Sequence, residues 1–321
     1  MTGANEQNLL RQGFGGQEIA KLAKPEACVA KGRVGGAGVE EWRVALEGLY
    51  AAYSDRGFAA RDPVSALYSY DRLEDREVVG LLAAGLAYGR VASILKSLEE
   101  VRARLGETPA HFVCDATNDT LRRTFRGFQH RWTRAEDVVS LLAGVREVSR
   151  EWGSLGAAFG TVSGEEATVQ EALARWVGLL RRGHAGRNSL LADPAAGSAC
   201  KRLFLYLRWM VRMDAVDPGG WPHVSPARLI VPVDVHMHRV GQALGFTRRK
   251  QADLATALEI TDGFRRIVPE DPVRFDFVLT RPGILSAIDV RSLGKNGKLD
   301  PEAMARMAPR HMRLDDSAAK E

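Results

Sequence analysis

The run Val78-Val-Gly-Leu-Leu-Ala-Ala-Gly-Leu-Ala-Tyr constrains the fold more than any other stretch, because it is apolar almost all the way round a helix. Asp75-Arg-Glu precedes it and predicts a helix start, where acidic side chains meet the positive end of the dipole. A helix with no polar face must be enclosed by other elements, so this segment is expected at the centre of the molecule.

Periodicity elsewhere supplies the enclosure. Trp42, Leu46, Leu49, Tyr50 and Tyr53 recur at spacings of three and four, which predicts one apolar helix face from Glu41 onward. The same reading predicts helices at about 91–104, 135–152, 167–182, 198–213, 234–245, 250–267 and 271–281. Alternating strand patterns are nearly absent. The best extended candidate, Leu229-Ile-Val-Pro-Val, carries a proline that argues against a central strand. No internal repeat and no glycine-rich phosphate loop between a strand and a helix is evident, so the expected fold class is all-α and a nucleotide cofactor is not expected.

The chain has 321 residues, of which 45% are hydrophobic, and that suffices for a packed core. Residues 1–40 hold eight glycines and no sustained period, so they are expected to form a flexible tail. A helical domain is expected over 41–290, followed by a polar C-terminal tail over 291–321. The three cysteines, Cys28, Cys114 and Cys200, exclude a disulfide framework and a four-cysteine metal site. The first residues lack a basic stretch followed by an apolar run, and no segment reaches the roughly 18 apolar residues of a membrane span. A soluble cytoplasmic protein is the expectation. The net charge of +5 permits nucleic acid without requiring it.

Chemistry concentrates in Gly197-Ser-Ala-Cys-Lys-Arg-Leu-Phe and Val231-Pro-Val-Asp-Val-His-Met-His-Arg-Val. Ser198 is the expected N-cap of the first segment, which puts Lys201 in the opening turn. The helix dipole and Arg202 both disfavour an ammonium there, which raises the share of nucleophilic amine. Asp234 is the expected N-cap of the second helix. His236 and His238 are two apart and point to different faces, so no metal site is expected from them. Between Cys200 and Lys250 nine Lys or Arg face three Asp, and Arg248, Arg249 and Lys250 are candidates for phosphate contact. Phe204, Trp209 and Trp221 are candidate stacking platforms, and the Gln129-His-Arg-Trp cluster, with His130 and Trp132, is a candidate lining for a base pocket.

The segment around Asp234 resembles the catalytic-aspartate segment of the helix-hairpin-helix DNA glycosylases, in which a VDxH-type sequence follows a lysine-bearing hairpin. The similarity is closest to oxidised-guanine glycosylases, including the archaeal type, on the spacing of thirty-three residues between Lys201 and Asp234. Bifunctional members carry Gly-x-Gly-x-Lys at the hairpin; here Gly197 precedes Lys201 by four and Ala199 stands at the second glycine. The stretch from about Leu46 to Leu285 is also similar to a bacterial family known as domain of unknown function 2400. Asp62-Pro-Val, Asp75-Arg-Glu, Ala87-Tyr-Gly-Arg, Gly153-Ser-Leu and Phe275-Asp-Phe carry that likeness.

The glycosylase resemblance implies two helical subdomains flanking a DNA-binding cleft, with Lys201 as nucleophile and Asp234 as charge stabiliser. It implies excision of an oxidised purine such as 8-oxoguanine, followed by lyase cleavage at the abasic site. Gly197, Ser198, Arg202, His236 and Arg239 would join Arg248, Arg249 and Lys250 at the DNA. The implied partner is damaged double-stranded DNA at the nucleoid, with no cofactor, metal, membrane or obligate protein partner. The alternative is a non-catalytic DNA- or RNA-binding protein on the same scaffold.

Overall fold

A computed structural model describes residues 33–34, 37–164, 168–182, 188–194 and 198–280. Most of the first expected tail, Gly197 and the expected tail at 291–321 lie outside these residues. The described part is mostly helical, in agreement with the all-α expectation. Among the described residues no helix is long and apolar enough to cross a membrane.

A minimal antiparallel pair, β1 (Arg33–Val34) and β2 (Ala37–Gly38), leads into α1 (Val39–Tyr53). Trp42, Leu46, Leu49 and Tyr53 of α1 are buried, as their spacing requires. A short α2 (Arg56–Ala59) and a 3-10 stretch, Pro63–Ser69, follow. The Asp62 carboxylate accepts the Val64 amide at 2.9 Å and starts that stretch.

The apolar run lies in α3 (Leu73–Leu86), and every residue from Val78 to Leu86 is buried. Its acids do more than meet their own dipole. Asp75 Oδ1 accepts the Ala110 amide at 2.8 Å in the first turn of α5 (Pro109–Asp115), a helix that follows α4 (Val91–Leu105). Glu77 accepts the Leu155 and Gly156 amides, each at 2.9 Å, at the start of α8 (Leu155–Val162). The central helix thus supplies carboxylates to the free amide ends of two neighbours.

Between α5 and α8 come α6 (Asn118–Thr124), a hairpin of β3 (Gln129–His130) and β4 (Thr133–Arg134), and α7 (Ala135–Trp152). The sequence reading missed α5, α6 and α8, whose apolar repeats are too brief for a clear period. It also missed the hairpin, because two-residue strands carry no alternation. Next are α9 (Val169–Leu180) and α10 (Lys201–Val211), and α10 packs along α3. The chain ends with α11 (Val235–Ala243), α12 (Leu254–Arg265) and α13 (Asp276–Leu279). Much of the expected helix at 271–281 is turn. The segment 229–233 is buried without a strand partner, so its proline sits comfortably in an unpaired extended piece.

The core beside α3 and α10 is aromatic. Trp176 stacks on Tyr206 with ring centroids 5.7 Å apart, and Trp221 stacks on Phe159 at 5.3 Å. The Trp221 indole N–H donates to Glu77 Oε1 at 2.7 Å, so the one polar atom of that ring finds a buried acceptor. Gly156 makes this possible, since a Cβ there would fall 2.7 Å from Glu77 Oε1 and against the Trp221 indole nitrogen.

Candidate active site

Two helix starts meet here. Lys201 is the first residue of α10, and Asp234 is the N-cap of α11. The Lys201 ammonium nitrogen lies 3.2 Å from Asp234 Oδ2, with the side chains 32% and 28% exposed. The other carboxylate oxygen, Oδ1, accepts the His236 and Met237 amides at 2.9 Å each. Capping and ion pairing therefore use different oxygens of one carboxylate. Partial burial pushes the Asp234 carboxyl upward, but the Lys201 ammonium and the Met237 amide pull harder, and it stands below the ordinary carboxylate range.

The residue before Lys201 is unusual. Cys200, not Ser198, is the N-cap of α10, in a left-handed conformation with φ 45° and ψ 29°. Ser198 instead uses its hydroxyl as a weak acceptor for the Cys200 amide at 3.4 Å. Burial pushes the Cys200 thiol up to about 11, so it is no nucleophile in competition with the lysine. The ammonium at this helix start is paired with the Asp234 carboxylate.

The basic strip reads differently in three dimensions. Arg208 and Arg212 are buried, bound to Asp217 and Asp276 and to Asp214, Asp217 and Asp271, respectively. Arg202 donates to the carbonyl oxygens of Gly85 at 2.6 Å and Ser189 at 2.7 Å, and its guanidinium faces the Tyr88 ring. Arg228 reaches the Ser163 carbonyl at 2.8 Å. Much of the local charge excess is thus internal bonding, which a count along the sequence cannot distinguish from surface charge. His236, Arg239, Arg248, Arg249 and Lys250 are exposed on and after α11. Arg249 pairs with Asp253 at 2.8 Å, and its carbonyl accepts the buried His238 Nε2 at 2.9 Å. His238 is a brace for the loop that carries the exposed cations.

The candidate stacking residues also divide. Phe204, Trp209 and Trp221 are fully buried in the core, which corrects their reading as open platforms. His130 is buried, with Nε2 donating to the Tyr88 carbonyl at 3.0 Å and Nδ1 left to accept from Ser97 at 2.9 Å. Gln129 is exposed and donates to the Arg131 carbonyl at 3.0 Å. Trp132, at the hairpin tip, is 59% exposed and stacks on Tyr88 with centroids 4.4 Å apart. Since Arg202 also faces Tyr88, that ring links the neighbour of Lys201 to Trp132, whose ring also carries the Arg131 guanidinium 4.9 Å from its centroid. Tyr88 itself was missed by the sequence reading, although Ala87-Tyr-Gly-Arg marked its position.

A family model described as "Protein of unknown function (DUF2400)" matches residues 62–285. The chain belongs to the DUF2400 family. The matched span contains α3, α10, Lys201, Asp234 and Asp276, so the paired helix starts lie within the DUF2400 region. No curated protein and no solved structure matches the chain.

Proposed function

We propose that this DUF2400 protein is a DNA-repair glycosylase of helix-hairpin-helix type with associated lyase activity, acting on an oxidised purine such as 8-oxoguanine. The supporting observation is the 3.2 Å approach of Lys201 Nζ to Asp234 Oδ2 at two helix starts, in the motif that resembles the glycosylase segment. The Lys201 ammonium must lose a proton before it can attack, and Asp234 is an acceptor within reach. A nucleotide flipped into the site would exclude water, which weakens the separated charges relative to the neutral amine and acid.

The Lys201 nitrogen would then bond to C1′ while the bond from C1′ to the base breaks. The electron pair leaves with the base, which takes up the proton that Asp234 accepted from the lysine. Asp234, returned to the carboxylate, stabilises the positive charge that develops on the sugar. Opening of the sugar ring gives an iminium, loss of the C2′ proton expels the 3′ phosphate, and water releases the lysine. Exposed Arg239, Arg248 and Lys250 suit phosphate contact, and Trp132 suits stacking on an unpaired base.

Borohydride trapping on duplex oligonucleotides with a panel of lesions tests this reading. A covalent adduct at Lys201 is expected, lost in Lys201→Ala. No adduct and no strand cleavage over the panel would remove the lyase assignment. The second reading is a non-catalytic nucleic-acid binder, favoured by the fact that a 3.2 Å ion pair can serve structure alone. In that case Lys201→Ala alters only a salt-dependent affinity.

A further inference from the structure

The Phe275-Asp-Phe motif takes no part in the chemistry above, yet its aspartate lies behind it. Asp276 is the first residue of α13, is buried, and is bound by Arg208 Nη1. Arg208 follows Lys201 by seven residues on α10, so the two share one helix face about two turns apart. The α13 helix packs against α11, whose N-cap is Asp234. A single buried ion pair therefore joins the helix that carries Lys201 to the helix packed beneath Asp234.

The second arm of Arg208 stiffens this joint. Its Nε and Nη2 donate to Asp217 Oδ1 at 3.2 and 3.0 Å, and Asp217 is shared with Arg212. In this lattice two guanidinium groups meet four carboxylates, those of Asp214, Asp217, Asp271 and Asp276. The surplus is negative, and Asp276 is the member that ties α10 to α13.

We propose that Asp276 is the positioning residue of the Lys201–Asp234 pair: through its buried ion pair with Arg208 it fixes the helix that aims Lys201. Its significance for catalysis rests on the reading of Lys201 as a nucleophile, but the coupling itself does not. Charged groups come to the pair from several elements, among them Asp193 and Arg181, which act on Cys200 and pair with each other at 3.7 Å. From α11 come Asp234 and His236, from α13 Asp276, and from α10 itself Arg202 and Arg208. On α3, which packs along α10, Glu77 is turned to Trp221 and the start of α8, and Asp75 to Ala110. Asp276 is thus a buried carboxylate behind the pair that is neither a cap nor a partner of Lys201, whereas Asp193 is half exposed and faces Arg181. Burial raises its carboxyl and Arg208 opposes the rise, with Asp234 adding to it, as for two like charges in one electrostatic neighbourhood.

The test is the rate at which the Lys201 amine in the full chain is modified by formaldehyde and cyanoborohydride at pH 8, read by peptide mass spectrometry. No nucleic acid is present, so this result and that of borohydride trapping on lesion DNA stand or fall separately. Asp276→Asn should raise the rate at Lys201 about threefold, because α10 is no longer held by the buried pair and the Lys201 amine is freed from Asp234. Asp276→Glu should return it to within about twofold of the parent. Asp271→Asn is the control: it takes the same charge from the Arg212 side of the lattice and should leave Lys201 unchanged. An unaltered or slower rate in folded Asp276→Asn overturns the proposal, and so does an equal rise in Asp271→Asn, which would signify general loosening. Should Asp276→Asn not fold, Asp276→Ser replaces it, since it also removes the carboxylate and keeps a hydroxyl for Arg208. The same rise at Lys201 is expected there, and an unchanged rate counts against the proposal equally.

Discussion

Asp234 divides its carboxylate between two tasks: Oδ2 faces the Lys201 ammonium at 3.2 Å, and Oδ1 accepts the His236 and Met237 amides at 2.9 Å. Mutation can separate the tasks. Asp234→Asn retains an acceptor for the helix end, so stability should fall by less than about 1 kcal/mol. Base excision should drop by roughly two orders of magnitude with DNA affinity held. Asp234→Ala should cost about 1–2 kcal/mol as well, since the cap goes with the charge. Thermal unfolding beside single-turnover excision distinguishes these outcomes; normal excision by Asp234→Asn would reduce Asp234 to a cap.

Glu77 sets a pH dependence of a less usual sign. Burial pushes its carboxyl up to about 6, against the Trp221 indole and the Gly156 and Leu155 amides that favour the anion. A carboxyl with a higher value folded than unfolded takes up protons on folding. The stability it contributes is therefore complete below the ordinary carboxylate range and is lost as pH rises through about 6. Between pH 7 and pH 4.5 this one group should add about 2 kcal/mol. Urea unfolding of the parent and of Glu77→Gln across that window measures it, and parallel curves would contradict the assignment.

Gly156 should tolerate no side chain. A Cβ there meets both Glu77 Oε1 and the Trp221 indole nitrogen, and neither is the free end of a flexible chain. Gly156→Ala is expected to cost more than about 2 kcal/mol in urea unfolding. Gly48, with open space around it, is the comparison, and Gly48→Ala should be neutral or slightly stabilising.

At the proposed DNA surface, Arg248→Gln and Lys250→Gln should each weaken duplex binding and reduce the slope of affinity against salt by about one. Arg249→Gln should do less, because Asp253 already neutralises that guanidinium. A titration over a range of salt concentrations checks both, and unchanged slopes would remove these residues from the interface.

Trp132 and His130 are adjacent but one and not equivalent. Trp132→Ala should leave stability within about 1 kcal/mol and weaken single-strand binding by about 1–3 kcal/mol, the worth of one stacked base. His130→Ala should act the other way, since its ring is buried between Ser97 and the Tyr88 carbonyl. Fluorescence titration and thermal unfolding of both variants give the comparison.

What the sequence conveyed depended on the range of the interaction. The centrality of Val78–Leu86 was legible because a helix without a polar face has only one kind of home. The nearness of Lys201 and Asp234 was legible as a motif, and the geometry adds which oxygen does what. The fate of Arg202, Arg208 and Arg212 was not legible: Gly85, Asp276 and Asp271 lie far along the chain, and nearby Asp214 and Asp217 entered a charge count that does not say which cation each acid binds. Phe204 and Trp209 misled for a related reason, because an aromatic at helical spacing looks the same whether it meets a core or a ligand.

The left-handed Cys200 has a mechanical consequence. A non-glycine residue held at φ 45° stores about 1 kcal/mol of backbone strain, which is released when the first turn of α10 opens. Burial holds that strain in place, since Cys200 itself and Leu203 of the same turn lie in the core with Phe204, Leu207 and Trp209, and Arg202 is bonded to Gly85 and Ser189. Lys201 therefore leaves the core from a tensed but anchored turn, and the reach of its amine is set by its own side chain and not by travel of α10.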